Sequence, residues 1–304
     1  MKIRLGTRGS QLALWQANTV KNLLQAQGFE SELVIIQTLG DNQTQKPLHE
    51  LGTQGIFTKA LDEALLENKI DIAVHSCKDI PGEIHQDLLI SAVLKREEPQ
   101  DVLLSLKDSI HLENQSQRFI IGTSSVRRVA FLRHYFHQHI IKDIRGNLDT
   151  RIQKLENGEY DALILAYAGV KRMGLEKYIR QKLSKEVIVP AVGQGAVAIM
   201  IRKEDKSHFE ITQRINHEQT FQEVSCERSF LKTIRGGCQL PVFGFARVFK
   251  DSIQLLAGVA SVDGKQIIKK ELTDYVQNAQ QLGINLGNTI LNEGGKELIY
   301  VSKS

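Results

Sequence analysis

Cysteine is scarce in this 304-residue sequence, which holds only Cys77, Cys226 and Cys238. So low and odd a count excludes a disulfide framework. Long apolar runs are also missing, none approaching the ~20 residues of a membrane-spanning helix. Residues 1–20 lack the apolar centre and cleavage site of a signal peptide, and Met1-Lys2-Ile3-Arg4-Leu5-Gly6 enters a strand directly. The expectation is a cytoplasmic chain with reduced thiols and no membrane contact. Aromatic residues reach only 6% and the formal net charge only +4. A nucleic-acid surface more often shows a continuous basic stripe with exposed aromatics for stacking, so no nucleic-acid partner is expected. No GxxxxGK(S/T) phosphate loop is present. His75 and His85 lack a ligand pattern, and His134, His137 and His139 lack acidic neighbours, so no metal centre is expected. No short-period repeat or low-complexity tract is visible.

What is there is an ordinary globular balance, 41% hydrophobic and 24% charged, long enough for two or three domains. Lys2–Leu5 reads as a strand, and Ser10 is placed to cap a helix carrying Leu12, Leu14, Trp15, Val20, Leu23 and Leu24 until Gly28 stops it. Glu32–Thr38 is a second strand, and the polar stretch Leu39–Gly55 reads as a mobile loop over a site. A helix over Phe57–Asn68 and strands at Asp71–His75 and Leu88–Leu94 follow. Strand and helix alternate, which predicts a parallel sheet. Lys95–Pro99 is a charged connector into a second unit, with strands at Phe119–Gly122, Ile140–Ile144 and Asp161–Leu165. Its helices are Val126–Phe136, Leu148–Glu156 and Ala168–Met173. The glycine-rich Val189–Ile199 reads as a second crossing, which gives the architecture of a hinged clamp. A helix from Phe221 to Ile234, strands at Phe245–Phe249, Ile253–Ala260 and Gln266–Leu272, and a helix over Val276–Asn292 form a smaller α+β unit. The expected boundaries are 1–95 with 196–213, 100–190, and 218–304.

Candidate chemistry gathers at His75-Ser76-Cys77-Lys78-Asp79-Ile80-Pro81, where a buried strand ends in titratable side chains. In open α/β sheets such carboxyl-end loops bind ligands, although Lys and Asp there are often plain turn residues. An extended 75–79 segment would put Cys77 and Asp79 on one face and Ser76 and Lys78 on the other. Three turns put arginines at helix starts: Arg8 with Ser10; Thr123 and Ser124 with Arg127 and Arg128; and Arg145 with Arg151. Helix N-termini attract anions, and arginine adds a fork matched to carboxylates; phosphate fits equally at this point. The competing reading is surface arginines in weak ion pairs. Cys226 falls in a helical pattern and reads as core. Gly236-Gly237-Cys238 presents a thiol on a sharp turn beside Arg235, which tilts it from core cysteine towards nucleophile.

Thr7–Gln16, His75–Pro81, Gly122–Arg128, Arg145–Arg151, Pro190–Ala196 and Gly236–Cys238 together resemble the hydroxymethylbilane synthase, or porphobilinogen deaminase, family, from Arg4 to about Gly294. The resemblance implies an α/β fold with two periplasmic-binding-protein-like domains joined by two crossings, plus a smaller C-terminal α+β domain. It implies a transferase that condenses four porphobilinogens head to tail, releases ammonia each time, and frees linear hydroxymethylbilane by hydrolysis in tetrapyrrole (haem) biosynthesis. It also implies a dipyrromethane cofactor held by a thioether at Cys238, with Asp79 catalytic. Arg8, Ser10, Lys78, Thr123, Ser124, Arg127, Arg128, Arg145, Arg151 and Arg172 match positions that hold cofactor and substrate carboxylates. An ionised carboxylate beside pyrrole N–H groups would stabilise the cation left when ammonia departs, and the protonated form would donate to the leaving amine. The family commonly has a cation near Gln54 and often arginine where Leu39 stands; Lys59 is the candidate replacement. Cys77 replaces a residue that is often larger and apolar, which predicts sensitivity to oxidation. The expected state is a monomer. A non-catalytic two-lobed anion-binding protein and a transferase using free Cys238 are the alternatives.

Overall fold

A computed structural model of the chain describes residues 2–38, 58–114, 116–236 and 240–301. The expected loop Leu39–Gly55 and Cys238 lie outside these residues. The chain opens with β1 (Ile3–Thr7), α1 (Gln11–Ala26), β2 (Ser31–Ile35), α2 (Lys59–Leu66), β3 (Ile72–Ser76) and β4 (Leu88–Val93). After the first crossing come β5 (Asp101–Leu104), β6 (Ile120–Gly122), α3 (Val126–Tyr135), β7 (Ile140–Lys142) and α4 (Leu148–Glu156). They are followed by β8 (Ala162–Ala166), α5 (Tyr167–Arg172) and β9 (Ile179–Lys182). The second crossing returns as β10 (Val197–Arg202) and α6 (Lys206–Gln213). The last part holds α7 (Glu218–Thr233), β11 (Val242–Phe249), β12 (Ser252–Ala260), β13 (Ile267–Tyr275), α8 (Ala279–Ile290) and α9 (Lys296–Val301).

The first sheet has the order β2-β1-β3-β10-β4 and the second β7-β6-β8-β5-β9. These are one topology used twice. In each sheet the helix-linked strands pair in parallel, and the strand that enters directly after a crossing runs antiparallel to both neighbours. The expectation of a parallel sheet therefore fails at β5 and β10. Each crossing leaves a carboxyl-end edge and enters the other sheet from the same side, so its strand must run back. Among the described residues, β5, β9 and α6 were invisible to sequence periodicity, because β5 is four residues beside a charged connector and β9 is Ile-Arg-Gln-Lys. The third sheet, β11-β12-β13, is antiparallel throughout.

Helix α1 shows how sequence sets an element. The Ser10 side chain accepts from Ala13 N (3.4 Å), and Gly28 at φ +85° ends the helix in a conformation that other residues resist. Its core face is Gln16, Ala17, Val20 and Leu24, the last three packed in one cluster with Leu5, Ile72 and Ile199. Trp15 does not join that face and is 40% exposed. The third sheet docks on the second lobe through Phe243, whose ring lies 4.8 Å from that of Phe131. Burying such a side chain contributes about 1.5–3 kcal/mol.

Both crossings are fastened to the third unit by one carboxylate. Glu227, buried on α7, accepts from Arg96 Nη1 (2.5 Å) and Nη2 (3.2 Å), Gly193 N (2.7 Å) and Ala246 N (2.8 Å). The glycine-rich crossing is also sterically fixed. Gly195 sits at φ +89°, where a Cβ would lie 2.3 Å from Glu97 O, so the two crossings touch backbone to backbone. Among the described residues, no helix is long and apolar enough to cross a membrane.

Candidate active site

Strand β3 ends in a 3₁₀ turn, Cys77–Asp79, pinned by Cys77 N donating to Ala196 O (3.0 Å) and Ile80 N to Cys77 O (3.2 Å). The segment is not extended, so the expected alternation of faces does not apply. Cys77 turns inward against Gly193, where a Cβ would come within 2.6 Å of its Sγ. It is buried, and burial pushes its thiol up to about 11, which runs against the expected sensitivity to oxidation. Ser76 faces α1 instead, receiving Gln16 Nε2 at 2.9 Å. Lys78 and Asp79 stay partly exposed at the carboxyl end of the strand. The stretch after Asp79 is gripped by the third unit: Arg228 Nη2 donates to Pro81 O (2.7 Å) and Nη1 to Ile80 O (3.3 Å). Gly82 lies so near Gly236 that a Cβ on it would stand 3.4 Å from Gly236 O.

The second lobe brings its cations to this turn. Although Lys78 is partly exposed, desolvation at the turn lowers its ammonium to about 8; Arg128 and Arg127 push the same way, and Asp79 and Asp101 oppose them. Burial likewise lowers Arg151 to about 10, with Arg128 and Arg145 adding repulsion and Asp143 and Asp79 opposing it. Among the described residues, those fields join Lys78, Arg127, Arg128, Arg145 and Arg151 with Asp79, Asp101 and Asp143, five cations against three carboxylates. Helix α3 starts at Ser125 without a side-chain cap or an acidic residue in its first turn, so its amides add to the positive field. At α4, Asn147 caps the helix by accepting from Thr150 N (2.9 Å), and Arg151 Nε donates back to Gly146 O (2.9 Å).

Arg127 and Arg128, expected as direct carboxylate ligands, are only 3% and 6% exposed. Arg127 donates to Asp101 Oδ2 (2.7 Å) and Val189 O (2.7 Å), and Arg128 to Asp101 Oδ1 (2.7 Å) and Ile164 O (2.9 Å). Gln194 Nε2 also reaches Asp101 Oδ1, at 2.9 Å. Asp101 is the residue that sequence reasoning missed. It sits two residues beyond the charged connector Lys95–Pro99, and only its place at the start of β5 would have marked it. Both arginines keep a buried Nε without a hydrogen-bond partner.

Thr123 is buried and its Oγ1 accepts from Ser125 N (3.3 Å), while Ser124 is partly exposed. Arg8 lies beside His75 and, after burial, is the second cause that lowers that imidazole to about 4. Arg172 stands apart from the five cations, with Nη2 on Gly195 O (2.7 Å) and Glu97 as its charged neighbour. Lys59, the candidate replacement cation, is exposed and pairs with Glu63 at 3.8 Å. Cys226 is buried in the third core, as expected, with burial raising its thiol.

The chain is similar to several known proteins. Among solved structures, a putative sulfonate transporter's periplasmic sulfonate-binding protein from Methylobacillus flagellatus KT is 15% identical, with TM-score 0.41, over 77% of this chain and 68% of its own. A putative methionine-binding lipoprotein from Bacillus subtilis strain 168 is 12% identical, with TM-score 0.43, over 73% and 92%. Residues 3–210 match the family model "Porphobilinogen deaminase, dipyromethane cofactor binding domain", and residues 221–292 match "Porphobilinogen deaminase, C-terminal domain". The chain therefore belongs to the porphobilinogen deaminase family, transferases with hydroxymethylbilane synthase activity that polymerise porphobilinogen on a dipyrromethane cofactor.

Proposed function

We propose that Asp79 is the catalytic carboxyl and Cys238 the cofactor attachment point, with Lys78, Arg145 and Arg151 as the principal carboxylate-binding cations. The observation that carries this is the contact of Gly236 with Gly82. Gly236 is two residues from Cys238 and Gly82 three from Asp79, and that short separation along the chain supports a Cys238 within reach of Asp79. A dipyrromethane bears several carboxylates, and the excess of cations over carboxylates around Lys78 and Arg151 suits it. When bound, it supplies the carbon nucleophile that begins chain growth.

The chain's own residues do the rest. Asp79 as the acid gives its proton to the departing amine of porphobilinogen, and as the carboxylate it stabilises the cation that remains on the substrate. Lys78, Arg145 and Arg151 orient acetate and propionate groups. Arg127 and Arg128, neutralised in part by Asp101, act through their buried charge. Arg8, Ser10, Thr123, Ser124 and Arg172 extend the shell along the cleft. Cys238 needs thiolate character once, to form the thioether. The proposed domains are 1–95 with 196–213, 100–190, and 218–304, in a cytoplasmic monomer that binds no nucleic acid.

The test is the intact mass of denatured, active protein beside Cys238→Ser. Two linked pyrroles on the wild type and none on the variant is the expected result. An unmodified mass in an active wild type would overturn the attachment and promote a free-thiol transferase. Asp79→Asn is expected to keep the cofactor mass and lose most turnover; near-normal turnover would remove Asp79 from the mechanism.

A further inference from the structure

Trp15 is the chain's only tryptophan, and it is the large aromatic that helix α1 leaves outside the core, 40% exposed. Its neighbour is in the other lobe. The Arg172 guanidinium carbon stands 5.3 Å from the indole centroid, within reach of a cation–π contact. One turn earlier on both helices, a Cβ on Gly169 would lie 3.7 Å from Leu12 Cδ2. Leu12 and Trp15 on α1 thus meet Gly169 and Arg172 on α5 in register, each pair three residues apart, the spacing of one helix face. Helix α5 is also tied to both crossings, through Arg172 Nη2 to Gly195 O (2.7 Å) and Lys171 Nζ to Glu97 (2.8 Å). Among the described residues the guanidinium has this one carbonyl acceptor, against its five N–H groups.

We infer that Trp15 is a positioning residue for Arg172: the first lobe's indole holds a second-lobe guanidinium at the cleft rim in the orientation that receives a carboxylate of porphobilinogen or of the growing chain. The inference rests on the reading of Arg172 as a carboxylate-binding residue. Its physical content is that Arg172 is preorganised only while the two lobes touch, so carboxylate capture and lobe contact reinforce each other. Without the indole, the side chain keeps one anchor, Gly195 O, and must order its remaining torsions on binding.

The experiment combines steady-state kinetics and acrylamide quenching of tryptophan emission on cofactor-loaded Trp15→Ala, Trp15→Phe, Arg172→Ala and the Ala/Ala double variant. Trp15→Ala is expected to raise KM for porphobilinogen about three- to tenfold with kcat little changed, the size of a partly exposed cation–π contact. Phenylalanine restores part of the affinity, and the double variant is no worse than Arg172→Ala alone. In protein that retains Trp15, Arg172→Ala increases quenching and saturating porphobilinogen decreases it in the wild type. A KM within twofold of wild type for Trp15→Ala, beside a raised KM for Arg172→Ala, would overturn the positioning role and leave the reading of Arg172 standing. Additive effects in the double variant, or emission indifferent to both Arg172→Ala and substrate, would also overturn it. An unchanged KM in Arg172→Ala would overturn the reading itself. If Trp15→Ala fails to fold, Trp15→Phe and the emission measurements on Arg172→Ala decide the question.

Discussion

Replacing Asp101 by asparagine isolates the electrostatic cost of the buried cluster behind the site. The carboxylate accepts Arg128 Nη2 (2.7 Å) and Gln194 Nε2 (2.9 Å) on Oδ1, and Arg127 Nη2 (2.7 Å) on Oδ2. The amide keeps the shape but puts an NH₂ where one oxygen stood, facing a guanidinium N–H. Two buried guanidiniums then lack the carboxylate that touches both. Breaking a buried pair costs about 3–5 kcal/mol, against a net stability of about 5–15 kcal/mol. At about 2–4 °C per kcal/mol, the expected fall in Tm is on the order of 6–20 °C. Burial alone would raise the Asp101 carboxyl, yet the two guanidiniums hold it well below the ordinary carboxylate range. Its contribution is therefore complete above the unfolded value of about 3.9 and is lost only as pH falls through the lower folded value. Thermal melts followed by circular dichroism at about pH 8, 6.5, 5 and 3.5 should show a constant gap down to pH 5 that narrows below about pH 4. A gap under about 3 °C at about pH 6.5, or one that widens on acidification, would refute the buried-cluster reasoning.

Lys78, with burial holding its ammonium near 8, should lose charge as pH rises past that value. KM for porphobilinogen is then expected to climb above about pH 8, and Lys78→Arg to abolish the climb; persistence of the same limb in that variant would assign it to another group. His75 is buried and neutral, its imidazole lowered to about 4 by burial and then by Arg8. The unfolded chain takes up that proton first, so stability should decline by up to about 3 kcal/mol as pH falls from about 6.5 to 4. Denaturant titrations across that range should show a shallower acid slope for His75→Gln, and an unchanged slope would count against the neutral imidazole. Gly195→Ala forces a Cβ to 2.3 Å from Glu97 O at φ +89°. The expected loss is about 2–5 kcal/mol, read from urea midpoints, and a change under about 0.5 kcal/mol would show that the crossings separate easily.

Sequence alone was enough for the helix-linked strands, the two crossings and the third unit, because those rest on local signals: apolar period, Ser10 as a cap, Gly28 as a stop. It also determined the family, because the arginine turns and the His75–Pro81 segment stand in the chain as contiguous motifs. The antiparallel entry of β5 and β10 was decided by tertiary structure, since the direction of a strand after a crossing depends on where the other lobe sits. So was the state of the arginines. Arg127 and Arg128 read as free ligands beside Ser124, but their partner Asp101 is 26 and 27 residues away and meets them only when β5 enters the second sheet. Trp15 stood in the sequence simply as one of the apolar residues at helical spacing on α1, and only the approach of α5 gives it the Arg172 contact it makes. Spacing along a chain fixes which side chains share a face; which charge that face meets depends on elements far away in sequence.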